Sequence, residues 1–202
     1  MRPIASILFR LVVAGLLVTN SAAAVLGQDR TEARREWGTL ANGRTEFDVS
    51  DVTLLPSTLA LAAEQAGCDY KEHIKDMPVR FMRPEGLRLV MVFCSGNGTG
   101  SHQIFDVSNV LKPALIELPV LAQPDGFRAT ARPGLVTWEK ETKVLQAVGV
   151  SDMSVAGLRH IYRVDRGIGG FVIVRVEFTP HVGNKDGWTT IWDAPKWLFP
   201  AN

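Results

Sequence analysis

The stretch MPVRFMRPEGLRLVMVF, Met77 to Phe93, decides the fold class. Met77, Val79 and Phe81 alternate with Pro78, Arg80 and Met82, and after Pro84-Glu85-Gly86 the alternation resumes at Leu87, Leu89, Met91 and Phe93. A period of two marks extended backbone, whose successive side chains point to opposite faces. Two such runs joined by proline and glycine predict a β-hairpin. The same rhythm continues towards the C-terminus, where strands are predicted at Gln103–Val107, Ala114–Val120, Gly126–Ala131, Leu135–Glu139, Lys143–Val150, Leu158–Val164 and Phe171–Phe178. Clusters such as Gln123-Pro124-Asp125-Gly126 and Arg132-Pro133-Gly134 punctuate them.

Short strands with turn signals between them, and no helical pattern in this region, argue against a parallel α/β sheet. The expected fold is mainly β: an antiparallel meander, sandwich or partial propeller-like sheet with one short N-terminal helix. Within Phe171–Phe178 the alternation predicts Val172, Val174, Val176 and Phe178 on one face and Phe171, Ile173, Arg175 and Glu177 on the other. LRLVMVFC and LRHIYRVD are each followed by a glycine-rich turn and another strand. A duplication behind that likeness would suit repeated, blade-like units.

Upstream, LLPSTLALAAEQAGC predicts a helix with Ser57 or Thr58 as N-cap, helix formers through Gln65 and Gly67 as its stop. Gln28 to Asp48 is polar and charged and reads as an arm rather than core, with a short helix around Arg30 to Trp37 ended by Gly38. The N-terminus has Arg2 and Arg10 before the apolar run Leu11 to Val18, then Ser21-Ala22-Ala23-Ala24, the layout of a secretory signal. Arg10 interrupts the run, so it falls short of the roughly 20 apolar residues a membrane span needs. The expected division is a signal peptide over residues 1–24, a polar arm over 25–48 and a single β-rich domain over 49–202. With the signal removed, no membrane span is expected, and the location is periplasmic or secreted.

The chain carries 22 Lys and Arg against 21 Asp and Glu, a balance that offers no electrostatic footprint for nucleic acid or an anionic membrane. The two cysteines, Cys68 and Cys94, are expected to form one disulfide in an oxidising compartment. They form no Cys-x-x-Cys pair and are too few to make a metal site unless histidines converge on them.

Motif chemistry is sparse. Gly96-Asn97-Gly98-Thr99-Gly100 has neither the spacing nor the following helix of a phosphate cradle. Asn97-Gly98-Thr99 is a glycosylation sequon, and Asn-Gly is also a strong hairpin-turn signal. Ser95, Ser101, His102 and Asp106 are local hydrolase candidates, with His73, His160 and His181 elsewhere. Neither serine sits in a nucleophile elbow, and neighbouring Ser101 and His102 would face opposite sides of a strand. Glu72-His73 has no second histidine at ligand spacing, and His160 alternates with Leu158, Tyr162 and Val164 as a core residue would. The reading therefore assigns no catalytic residue, no metal and no cofactor.

The run KDGWTTIWDAPKWLFPAN gathers Trp188, Trp192 and Trp197 with Asp186, Asp193 and Lys196. Aromatic faces beside carboxylates suit sugar binding, so Trp188, Trp192, Asp193 and Trp197 are the candidate binding residues. The alternative is that Trp192 and Trp197 cover the open end of a β core.

GLVTWEKETKVLQAV, AGLRHIYRVDRGIGGFVIVRVEF and GWTTIWDAP together resemble a broad set of uncharacterised bacterial exported proteins, over about Val90 to Ala194. Such proteins often carry Cys-Gly where this chain has Ala156-Gly157, so a second disulfide is missing here. The resemblance implies a β-rich periplasmic or secreted protein and carries over no catalytic residue. The leading expectation is a non-enzymatic binding or accessory protein contacting envelope protein or glycan. The alternatives are an envelope-polymer hydrolase using His102, Asp106 or His160 from distant strands, and a structural protein that self-associates.

Overall fold

The computed structural model describes residues 30–96, 100–122, 125–150, 156–165, 167, 170–183 and 187–195. The expected signal peptide, the sequon, Asp186, Lys196 and Trp197 lie outside them. Helix α1 (30–41) leads into β1 (Phe47–Val49), and helix α2 (Ser57–Gln65) precedes β2 (Val79–Met82), β3 (Leu89–Cys94), β4 (Ser101–Asp106) and β5 (Ala114–Ile116). A hairpin of β6 (Leu118–Ala122) and β7 (Gly126–Thr130) follows. The chain then forms β8 (Leu135–Glu139), β9 (Val144–Val150), β10 (Gly157–Asp165), β11 (Gly170–Thr179) and β12 (Thr189–Asp193).

β1 to β5 and β8 to β12 form two five-stranded sheets, each pairing in chain order and antiparallel throughout. The fold is thus mainly β, built from antiparallel meanders. The similar stretches LRLVMVFC and LRHIYRVD supply β3 and β10, the middle strand of each sheet.

Three layers result, with the first sheet in the middle. On β3, Val90, Val92 and Cys94 join Leu59, Ala63, Tyr70 and Ile74 in a core beneath the helices. Leu89 and Met91 point the other way, into a second core with Val136, Leu145, Tyr162, Ile173 and Val176 of the second sheet. A strand covered on both faces reads as a near-continuous apolar run, which is why LVMVFC shows so little polarity. Cross-strand charge pairs accompany the register: Asp48 with Arg80, Arg159 with Glu177, and Arg175 with Asp193. The Arg80 guanidinium, which donates twice to the Asp48 carboxylate, holds that group below its usual pKa.

The structure departs from the sequence reading at several places, among them the N-cap of α2, which is Pro56 and not Ser57 or Thr58. The segment read as a polar arm is partly core: Ala33 and Trp37, one helical turn apart on α1, are buried, and Trp37 donates its indole N–H to Thr58 at 3.0 Å. A single apolar stripe on an otherwise charged helix is diluted in a composition average. Gly38 does not end this helix; it ends where Asn42 and Gly43 take positive φ, 41° and 76°.

The run Ala114–Val120 divides at Glu117, β5 closing the first sheet and β6 pairing with β7. The alternation of Ile116, Leu118 and Val120 runs through the break, so the pattern does not mark the change of sheet. On β11, Phe171 and Ile173 are buried facing inwards and the inward set resumes at Val176, while Glu177 and Thr179 are also buried. The cause is a bulge: Ile161 pairs with Arg175 and Tyr162 with Ile173, so Val174 is an extra residue and the inward face changes parity there.

Candidate functional site

The two histidines with the strongest claim to chemistry both spend a lone pair on a backbone amide. His102, on β4, is 7% exposed, and its Nδ1 accepts the Val136 N–H of β8 at 2.9 Å. His160, on β10, is 3% exposed, and its Nε2 accepts the Leu121 N–H of β6 at 2.9 Å. Each side chain ties together strands of different sheets. Burial, with the nearby Arg80 charge, lowers the His102 pKa to about 4, and burial also lowers that of His160. Both imidazoles are therefore neutral acceptors at neutral pH.

The serines are likewise engaged. Ser101 Oγ accepts the Gly134 N–H at 3.0 Å and donates to the Gly134 carbonyl at 3.2 Å, and the His102 N–H donates to that same carbonyl at 2.9 Å. Gly134 sits at φ 107°, and a Cβ there would lie 2.1 Å from the Val148 carbonyl oxygen, so only glycine fits this junction. Ser95 binds the Asp69 carboxylate through both Oγ and N–H, which lowers the Asp69 pKa. Asp106 accepts the Ser108 N–H at 2.8 Å and lies four residues along β4 from His102, roughly 13 Å in extended chain. Among the described residues, no group of three His, Cys, Asp or Glu could hold a metal.

Tyr162 completes the grip on β6. Its hydroxyl donates to the Pro119 carbonyl at 2.8 Å, so His160 and Tyr162, two apart on β10, hold Leu121 and Pro119, two apart on β6. Tyr162 is fully buried, and burial raises its pKa. Tyr162→Phe, which leaves the Pro119 carbonyl unpaired in the interior, is expected to cost about 1–2 kcal/mol in urea unfolding. An unchanged midpoint would contradict that role.

Trp188 and Trp192 do not converge. Val176 pairs with Trp192, which faces the inner side of the second sheet, packs against its core and meets Phe127 edge-on at 5.1 Å. Trp188 lies on the outer side, where the Arg159 guanidinium sits 4.5 Å over its ring while paired with Glu177. Asp193, on β12, bonds Arg175 at 2.7 Å. Trp192 thus behaves as core cover, and Trp188 and Asp193 belong to the outer face.

That outer face of the second sheet carries both apolar and cationic side chains. Leu135 is exposed, and Ile161, Val172 and Val174 are half-buried between Arg159, Arg163 and Arg175. The sequence signal for it was present in the alternation, but the bulge at Val174 hid which residues of β11 face outwards. No protein-family profile, curated protein or solved structure matches the chain. No helix among the described residues is long and apolar enough to cross a membrane.

Proposed function

We propose that the chain is an exported, non-enzymatic binding or accessory protein of the cell envelope, contacting a partner protein or glycan through the outer face of its second sheet. The observation that carries this reading is that face itself, where aliphatic side chains from three strands stand between arginines, with Trp188 at its margin. The engagement of His102, His160, Ser95 and Ser101 in backbone and carboxylate hydrogen bonds favours it over a hydrolase. The disulfide suits an oxidising compartment, and the signal-like N-terminus supports export.

The test compares wild type with a Leu135→Glu, Ile161→Thr double variant in capture from envelope extract and in peptidoglycan pull-down. The variant is expected to melt like wild type and to retain its partner at least roughly tenfold less well. Trp188→Ala weakening glycan retention alone would assign the partner as glycan. Equal capture by wild type and the double variant would overturn the reading. A dimer in light scattering that the double variant abolishes would replace it with self-association.

A further inference from the structure

We propose that the cavity between α1 and the first sheet binds a small amphipathic carboxylate, an apolar body with a single anionic head. The cavity has a volume of about 390 Å³ and is bounded by the C-terminal half of α1, the turn after it, β1, and the ends of β2 and β3. That is within the range of small-molecule sites, roughly 300–1,000 Å³. Its floor is aromatic: Phe47 and Phe81 stack at 4.6 Å, and Trp37 meets Phe81 edge-on at 5.9 Å.

Its charges are all of one sign. Arg44, Arg83 and Arg88 line it, and no lining residue is acidic. The chain as a whole is near neutral, so three guanidiniums around one apolar cavity are a local feature and not a generally basic surface. Arg44 lies 4.4 Å over the Phe47 ring and gives one N–H to the Leu40 carbonyl, which leaves other donors of its fork unused by that bond. Among the described residues, Arg83 and Arg88 have no ion-pair partner. The acidic residue of their own turn, Glu85, pairs instead with Lys143 at 2.7 Å.

A planar carboxylate matches the guanidinium fork, and an apolar body matches the aromatic floor. A neutral alcohol would leave the arginines without an anion, and a cationic amphiphile would be repelled. The site is separate from the outer face of the second sheet and does not rest on its function.

The experiment titrates the secreted full chain with decanoate, decanol and decyltrimethylammonium below their micellar concentrations, by calorimetry and by the Trp37 indole resonance. Decanoate is expected to bind saturably at one site and shift that resonance, with decanol roughly tenfold weaker and the ammonium undetectable. Arg83→Gln with Arg88→Gln should abolish the preference for decanoate over decanol. Gly38 lines the cavity from α1, and a Cβ there meets no atom within 4 Å, so Gly38→Leu should fold and block all binding. Unsaturable uptake, equal affinity for decanoate and decanol, or binding untouched by both variants would overturn the proposal.

Discussion

Replacing Cys68 and Cys94 together by alanine lowers the unfolding free energy by about 3.5 kcal/mol, the loop entropy returned to the unfolded chain when a closure of 26 residues is removed. Cys68 follows the end of α2 and Cys94 ends β3, so the bond pins the helical layer to the middle sheet. Both sulfurs are buried, and the change also removes packing from the helix-side core. The loss should be local in hydrogen exchange: α2 and the facing ends of β3 and β4 lose protection first, and β9 to β11 keep theirs longer. Wild type in reductant should show the loop-entropy part of that loss in urea, without the loss of packing. Equal midpoints for oxidised and reduced protein would mean that the bond adds nothing to the fold.

Much of this architecture is visible in period-two alternation. Leu135–Glu139 is found at the predicted bounds, Val144–Val150 starts one residue later than predicted, and Gly157–Asp165 is longer by one residue at each end. The helix Ser57–Gln65 ends before Gly67, which takes φ 68° as a C-terminal stop requires. What local patterns could not show is what covers each face. The burial of β3 on both sides arises because α2 and the second sheet, distant in sequence, both pack on it. β1 is three residues long, too short for alternation to register, and β12 was hidden inside a run read for its tryptophans.

The candidate sites were legible as residues but not as environments. His160 was correctly placed on a buried strand face, yet its partner Leu121 is 39 positions away. Trp188 and Trp192 are four apart in sequence and fall on opposite faces of one sheet, which no count of aromatic residues distinguishes. The arginines of the cavity come from the segment after α1 and from both sides of the β2–β3 turn. Their convergence depends on α1 being docked as core, the point at which composition misled.

Acid should weaken the fold well above the usual carboxylate range, because His102 must be neutral to accept the Val136 N–H. Its pKa is about 4 in the folded protein against an ordinary 6.5, so the unfolded chain takes up the proton first. The stability tied to this group is complete above pH 6.5 and is lost as pH falls towards 4, at about 1.4 kcal/mol per pH unit and roughly 3 kcal/mol in all. The polar and charged neighbours point the same way. Arg80 of β2 repels the added charge, the Val136 amide of β8 competes for the lone pair, and the Phe93 ring of β3 meets the imidazole edge-on at 5.6 Å without offering an acceptor. His160, also lowered by burial, adds to the loss in the same direction. Urea midpoints at pH 7.5 and pH 5.0 measure the slope. His102→Gln separates titration from packing, because an amide oxygen can accept the Val136 N–H at any pH; the variant starts less stable at pH 7.5 and should lose less than wild type on acidification. Parallel slopes for the two proteins would show that the junction of β4 with β8 does not depend on the charge of His102.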